Sequence, residues 1–260
     1  MTTYRVVTAI TALIAMAGAS SLWADDAPPP PPPRGVWIGK GQFGFLNSQG
    51  NSVAKSVNGN LDLSRYDGDW KNQGNLSGLY GESAGIVSAE RWEVRAQTNY
   101  ALSSDLFVFG GLRYERDLFN GFQYQESVTT GVGYTFINTD TTTLTGQVGP
   151  GYRRLRPETI TKNAAGEVIS RVPLEATGEA IGAAGLDFSH KFSSTTTLTN
   201  KFLAESGSSN TLLQNQLALA VKMSTKLALT VGYGLINNSN PPAPLKKLDT
   251  VETVNLQYSF

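Results

Sequence analysis

Cysteine is absent from the 260 residues, which excludes disulfide scaffolds, thiol chemistry and cysteine metal sites together. Histidine occurs once, at His190, too little for a histidine metal site or a proton shuttle. Neither sign of charge dominates, since Lys+Arg and Asp+Glu are both 21, so no net field argues for nucleic acid or for an anionic surface. No cofactor is expected. Long hydrophobic runs are missing as well. The longest, Val6 to Ala19, is about 14 residues, short of the roughly 20 that a helix needs to cross a bilayer. After Val36 no segment carries a convincing 3.6-residue apolar period.

What is present begins with a leader. One positive charge precedes the short apolar run, and Ala17-Gly18-Ala19 and Ala24 offer small-residue cleavage sites, so residues 1–24 read as a cleaved signal peptide for export. Residues 25–35 contain six consecutive prolines, Pro28 to Pro33, and read as a stiff polyproline II spacer on the periplasmic side, with a ligand for a proline-reading domain as the other reading.

From residue 36 to 260 the alternation has a period of two. Trp92, Val94, Ala96, Thr98, Tyr100 and Leu102 share one face, while Glu93, Arg95, Gln97 and Asn99 share the other. The last strand repeats the pattern with Val254, Leu256, Tyr258 and Phe260, a terminal aromatic pattern expected to act as an assembly signal for barrel-assembly machinery. About twelve such runs occur, near 36–46, 53–66, 70–81, 90–102, 106–116, 122–137, 142–153, 173–189, 195–205, 210–222, 226–236 and 250–260. Connections after the even runs are short and polar, whereas the two longest, 154–172 and 237–249, both follow odd runs. An even count with short turns at one end predicts an all-β, antiparallel up-and-down transmembrane β-barrel in the bacterial outer membrane, both termini on the periplasmic side.

On this assignment the inward face carries Asp62, Glu93, Arg95, Arg113, Glu115, Glu175, Glu179, Asp187 and Lys201, with amides such as Gln125 and Gln214 among them. Both signs together fit either a small hydrated channel or a crosslinked polar plug. Phe107 and Phe109 are expected to narrow the periplasmic end. His190 reads as a solvated turn residue. Acidic pairs such as Glu115 with Asp117, or Glu175 with Glu179, are routine on a barrel wall, so no catalysis is expected. Gly50-Asn51-Ser52 and the Arg116-Asp117 corner read as turn chemistry. Asn237 to Asp249, stiffened at Pro241, Pro242 and Pro244, reads as a surface loop whose Lys246 and Lys247 are placed to touch lipopolysaccharide phosphates.

Gly50-Asn51-Ser52, Arg116 and Asp117 through Gly121, Gly131-Val132-Gly133-Tyr134, and the tail from Asn237 through Asp249-Thr250 to Phe260 occur in an order and spacing by which the chain resembles the salt-induced outer-membrane protein family (YdiY-like, a domain of unknown function). The resemblance implies a barrel in the outer membrane, in contact with its lipid and lipopolysaccharide, and no established activity. Three functions stay open: a structural or stress- and salt-related envelope barrel, a narrow and weakly selective diffusion channel, and a soluble exported β-barrel binding protein.

Overall fold

The computed structural model describes residues 34–49, 54–243 and 245–260. The leader, the proline run, Gly50, Asn51, Ser52 and Pro244 lie outside the described residues.

Thirteen strands follow one another without a helix among the described residues: β1 (Trp37–Ser48), β2 (Ala54–Asp67), β3 (Trp70–Ser83), β4 (Ile86–Ala101), β5 (Leu106–Asp117), β6 (Phe122–Asn138), β7 (Thr142–Lys162), β8 (Val168–Pro173), β9 (Thr177–Lys191), β10 (Thr196–Gly207), β11 (Thr211–Lys222), β12 (Leu227–Asn238) and β13 (Leu248–Ser259). Each pairs antiparallel with the next, except that β7 passes its wall partner to β9 and β13 returns to β1. Twelve strands therefore close a barrel, and β8 pairs with β7 alone. Closure removes the exposed edges that could not be satisfied in lipid.

The alternation seen in the sequence is the in–out alternation of the wall. Outward side chains are apolar and exposed, among them Leu76, Val94, Leu112, Val132, Val231 and Val254, while Glu93, Arg113, Glu115, Arg153, Glu205 and Gln214 are buried inside. A soluble domain has the reverse arrangement, so this is a transmembrane barrel. Aromatic rings mark the two edges of the apolar band. Trp92, Tyr114 and Tyr124 stack in a row at one edge, and Trp70 meets Tyr100 at the other. Trp92 and Tyr100 share β4 and are separated by eight residues, which at about 3.3 Å per residue and a tilt of about 40° gives roughly 20 Å along the axis. Polar groups that do face outward pair with each other: Asn200 with Asn215 at 3.0 Å, and Thr98 with Asn72 at 2.9 Å.

Turns at the terminal end reuse one device. In Leu102-Ser103, Phe192-Ser193 and Met223-Ser224 the serine hydroxyl accepts the backbone N–H groups two and three residues on, as with Ser103 Oγ from Asp105 and Leu106. The apolar residue before each serine closes the turn through its own N–H, so short polar sequences make tight hairpins.

Four expectations from the sequence need correction. Residues 154–172 are not a loop: β7 continues nine residues past Arg153 and β8 returns beside it, because Thr159, Ile160, Val168 and Val172 are strand formers around an Asn163–Gly166 turn. The gap of residues 82–89 left between the runs 70–81 and 90–102 is likewise not a loop but strand ends around a tight turn, with Ala84 at φ 50 and Gly85 at φ 81. Asp249 and Thr250 belong to β13, opposite Ile236 and Leu235, rather than to a turn. His190 is not a solvated turn residue. It ends the outward row of β9, stacked on Phe188, edge-on to Phe192 and hydrogen-bonded to Thr142 Oγ1 at 2.8 Å.

Candidate functional site: the lumen

A charged lattice fills one side of the lumen. On β4, Arg91, Glu93 and Arg95 share the inner face at two-residue spacing, and β5 presents Arg113 and Glu115 in register, with Glu93 opposite Glu115 and Arg95 opposite Arg113. Arg91 Nη2 donates to Glu115 at 2.8 Å and to Glu93 at 3.1 Å. Arg113 donates to Glu115 at 3.2 Å along its own strand. Arg113 then reaches Glu205 of β10 at 3.4 Å, and Ser127 of β6 donates to the same carboxylate at 2.7 Å.

Arg153 of β7 completes the lattice. Its side chain is wholly buried and touches Glu179 at 2.5 Å, Glu205 at 4.0 Å and the carbonyl oxygens of Glu205 and Asn210. Gln214 of β11 donates to Glu115 at 3.0 Å and to Glu93 at 3.3 Å, and accepts from Arg95. β4 and β11 stand six strands apart in either direction round the wall, so the Arg95–Gln214 contact runs along a diameter. Charges buried this deeply are tolerable only when paired and hydrogen-bonded, and nearly all these carboxylate oxygens are.

Over the lattice lies an apolar lid. Phe122, Leu155, Ile160, Ile181, Leu212 and Ile236 are buried at the end of the barrel that carries the longer connections. Pro242 and Leu245, from the connection between β12 and β13, reach the opposite wall and crowd Gly121, a glycine at φ 82. Arg171 of β8 binds Glu158 at 2.8 Å and the carbonyl of Leu118, and lies over the Phe119 ring. Asp117 accepts the Phe119 N–H at 2.8 Å, which shapes the same corner, and Arg116 stands on the outer face opposite Trp92. Toward the other end, Phe109 is buried and the Phe107 ring covers Gly133.

The other side of the lumen is open. A cavity of about 170 Å³ runs along β1, β2, β3, β11, β12 and β13, lined mainly by neutral groups that include Gln42, Asn58, Asn60, Thr230 and Asn255. Below it Lys201 and Asp62 face each other at 3.5 Å, both partly exposed.

Glu93, Arg95, Arg113, Glu115 and Glu179 thus meet in one lattice, whereas Lys201 and Asp62 form a separate pair and Asp187 stands opposite Lys201 on the neighbouring strand. Glu175 is a correction: it lies in the exposed 174–176 connection, not on the wall. Arg91, Arg153 and Glu205 were missed by the sequence reading. Each sits within one residue of a strand end assigned from turn signals, and extending the Glu93/Arg95 alternation by one step would have found Arg91.

A family described as "Protein of unknown function, DUF481" matches residues 41–260. The chain belongs to this family. It is 26% identical over 221 residues to "Uncharacterized protein YdiY" of Escherichia coli (strain K12), covering 84% of this chain and 81% of that protein. Among solved structures it is similar to the translocator domain of the autotransporter NalP from Neisseria meningitidis, at 16% identity and TM-score 0.45, covering 86% of this chain and 88% of that one. It is also similar to an outer membrane channel from Pseudomonas putida F1, at 11% identity and TM-score 0.47, covering 93% and 100% of the two chains.

Proposed function

We propose that this protein is a structural, stress- or salt-related barrel of the bacterial outer membrane whose lumen is held shut at rest, without catalytic activity. The observation that carries the reading is the lattice that spans the lumen from Arg95 and Arg113 to Gln214 and Glu205. Ion pairs with almost no solvent exposure are little screened, so added salt leaves this closure intact where surface pairs would weaken. Export by a cleaved leader, recognition of the Val254, Leu256, Tyr258 and Phe260 pattern by assembly machinery, and contact of Lys246 and Lys247 with lipopolysaccharide belong to the same proposal. Phe260 supports it by exchanging backbone hydrogen bonds with Gly39 where the barrel closes.

A narrow, weakly selective channel is the second reading, and the neutral open side of the lumen favours it. Planar-bilayer recording of the purified protein decides between the two. A closed barrel gives no conductance above bare lipid, whereas Arg113→Ala/Arg153→Ala, which removes two of the lattice cations, gives discrete openings. Steady conductance from the unmodified chain refutes closure.

A further inference from the structure

The wall is not sealed to the same height all the way round. The β1–β2 ladder runs the full length of β1, from Trp37↔Arg65 to Ser48↔Ala54, whereas the β1–β13 ladder stops at Phe43↔Leu256. On its other side β13 stays paired with β12 up to Leu248↔Asn237. Above Phe43, therefore, no rung joins the two strands that close the barrel. Gly39 and Phe260 exchange both backbone bonds, and by alternation the backbone groups of Phe45 and Val254 face the same seam.

The side chains that flank this unpaired stretch are apolar and the lumen behind it is polar. Phe45 and Val254 face outward and are 64% and 62% exposed, among the most exposed apolar side chains of the wall. On the inner side of β13 the cavity of about 170 Å³ is lined by Thr253 and Asn255, which flank Val254 beyond the last rung to β1. Asn255 is buried, its Oδ1 has no hydrogen-bond partner among the described residues, and it is aimed at the space over Gly44. Backbone groups at hydrocarbon depth need partners, and at Phe45 and Val254 the β1–β13 ladder supplies no rung.

We infer that the outer half of the β1–β13 seam is a lateral portal that takes a single-chain amphiphile, its neutral hydroxyl or amide head in the lumen cavity and its tail between Phe45 and Val254 in the bilayer. The lining selects the head: amides and hydroxyls surround the cavity, and its one charged member, Arg91, is already held by Glu93 and Glu115. The apolar lid covers the lumen at the end with the longer connections, and the seam gives the cavity a way in from the bilayer. This binding is independent of whether the barrel conducts.

The absence of native cysteine makes the test direct. Continued past Phe43, the ladder would set Leu46 against Thr253 as an inward, non-hydrogen-bonded pair, the geometry that suits a disulfide. The full chain and Leu46→Cys/Thr253→Cys are titrated in detergent with 1-monooleoylglycerol and, as a charged comparison, oleate, and read by native mass spectrometry. The expected result is one monooleoylglycerol per wild-type or reduced chain, binding at least tenfold weaker after oxidation and restored on reduction, with oleate weaker throughout. Equal binding in both redox states, stronger binding of oleate, or a dimer formed by the wild-type and reduced variant chains and lost when the variant is oxidised each overturns the proposal; the last would make a second copy the occupant. Should the cysteine variant fail to fold, amide exchange of the wild type in nanodiscs serves instead. Phe45 and Val254 should exchange faster than Gly41 and Tyr258, and equal protection along the seam refutes the portal.

Discussion

Arg153→Ala tests whether the lattice holds the barrel as well as filling it. The arginine is wholly buried, and its guanidinium joins Glu179 of β9 to Glu205 of β10 while also capping two backbone carbonyl oxygens. Removing one partner of a buried pair costs about 3–5 kcal/mol, because the other charge is left without compensation. Here the remainder is partly rescued. Glu205 keeps Ser127 at 2.7 Å and Arg113 at 3.4 Å, and Glu179 keeps the Ser209 N–H and hydroxyl, both at 2.7 Å. The loss should therefore fall at the low end, about 3 kcal/mol, or roughly a hundredfold in the folding equilibrium. Arg153→Lys keeps the charge but not the fork that reaches four acceptors at once, and should cost about 1–2 kcal/mol. Urea unfolding in detergent micelles, followed by the heat-dependent gel mobility of folded barrels, measures both. An alanine variant within about 0.5 kcal/mol of the parent, the range of an ordinary surface change, would show that the lattice carries no stability.

Three further substitutions probe the wall, the seam and the lid. Leu112→Arg places a cation on the lipid face and should destabilise by about 2–4 kcal/mol, whereas Gln216→Arg on the exposed inner face should stay within about 0.5 kcal/mol; equal effects on urea midpoints would invert the assignment of faces. A side chain at Gly39 would collide with the Phe260 ring, so Gly39→Val should cost about 1–3 kcal/mol and lower the heat-modifiable folded fraction; an unchanged yield would deny Phe260 its place at closure. Gly121→Ala meets both a φ of 82 and the crowding by Leu245 and Pro242, so it should cost about 1–3 kcal/mol and expose the 239–247 loop to limited proteolysis.

Much of this architecture was legible because a barrel wall repeats one physical rule. Trp92, Val94, Tyr100 and Leu102 against Glu93, Arg95, Gln97 and Asn99 is a complete statement of which way β4 faces, and it needs no knowledge of any other strand. Partnership across the lumen is different. Nothing near Arg113 in the sequence says that Glu205, 92 residues later, will accept its hydrogen bond, since the contact depends on strand tilt and on how the closed wall brings β5 toward β10. Strand ends were the weakest point for a related reason. Gly, Asn and Ser mark turns by their local preferences, yet Ala84-Gly85 and Asn163 to Gly166 are short turns inside long hairpins, so a polar cluster was read as a loop where strands continue.

The two sides of the lumen follow from where large and small residues fall. From β4 to β10 the inner face carries long charged side chains, and Arg113, Glu115, Arg153 and Glu205 reach far enough to meet across the interior. From β12 round to β1 several inner-face positions are short: Gly232 and Gly234 on β12, Thr230 beside them, and Gly44 on β1. Short side chains cannot bridge a barrel of this width, so space remains on that side and neutral amides line it. The same economy of volume explains the seam. At Gly44 the Asn255 side chain occupies the place of a Cβ and the Val254 carbonyl oxygen lies close by, and the β1–β13 ladder ends one residue below, at Phe43↔Leu256.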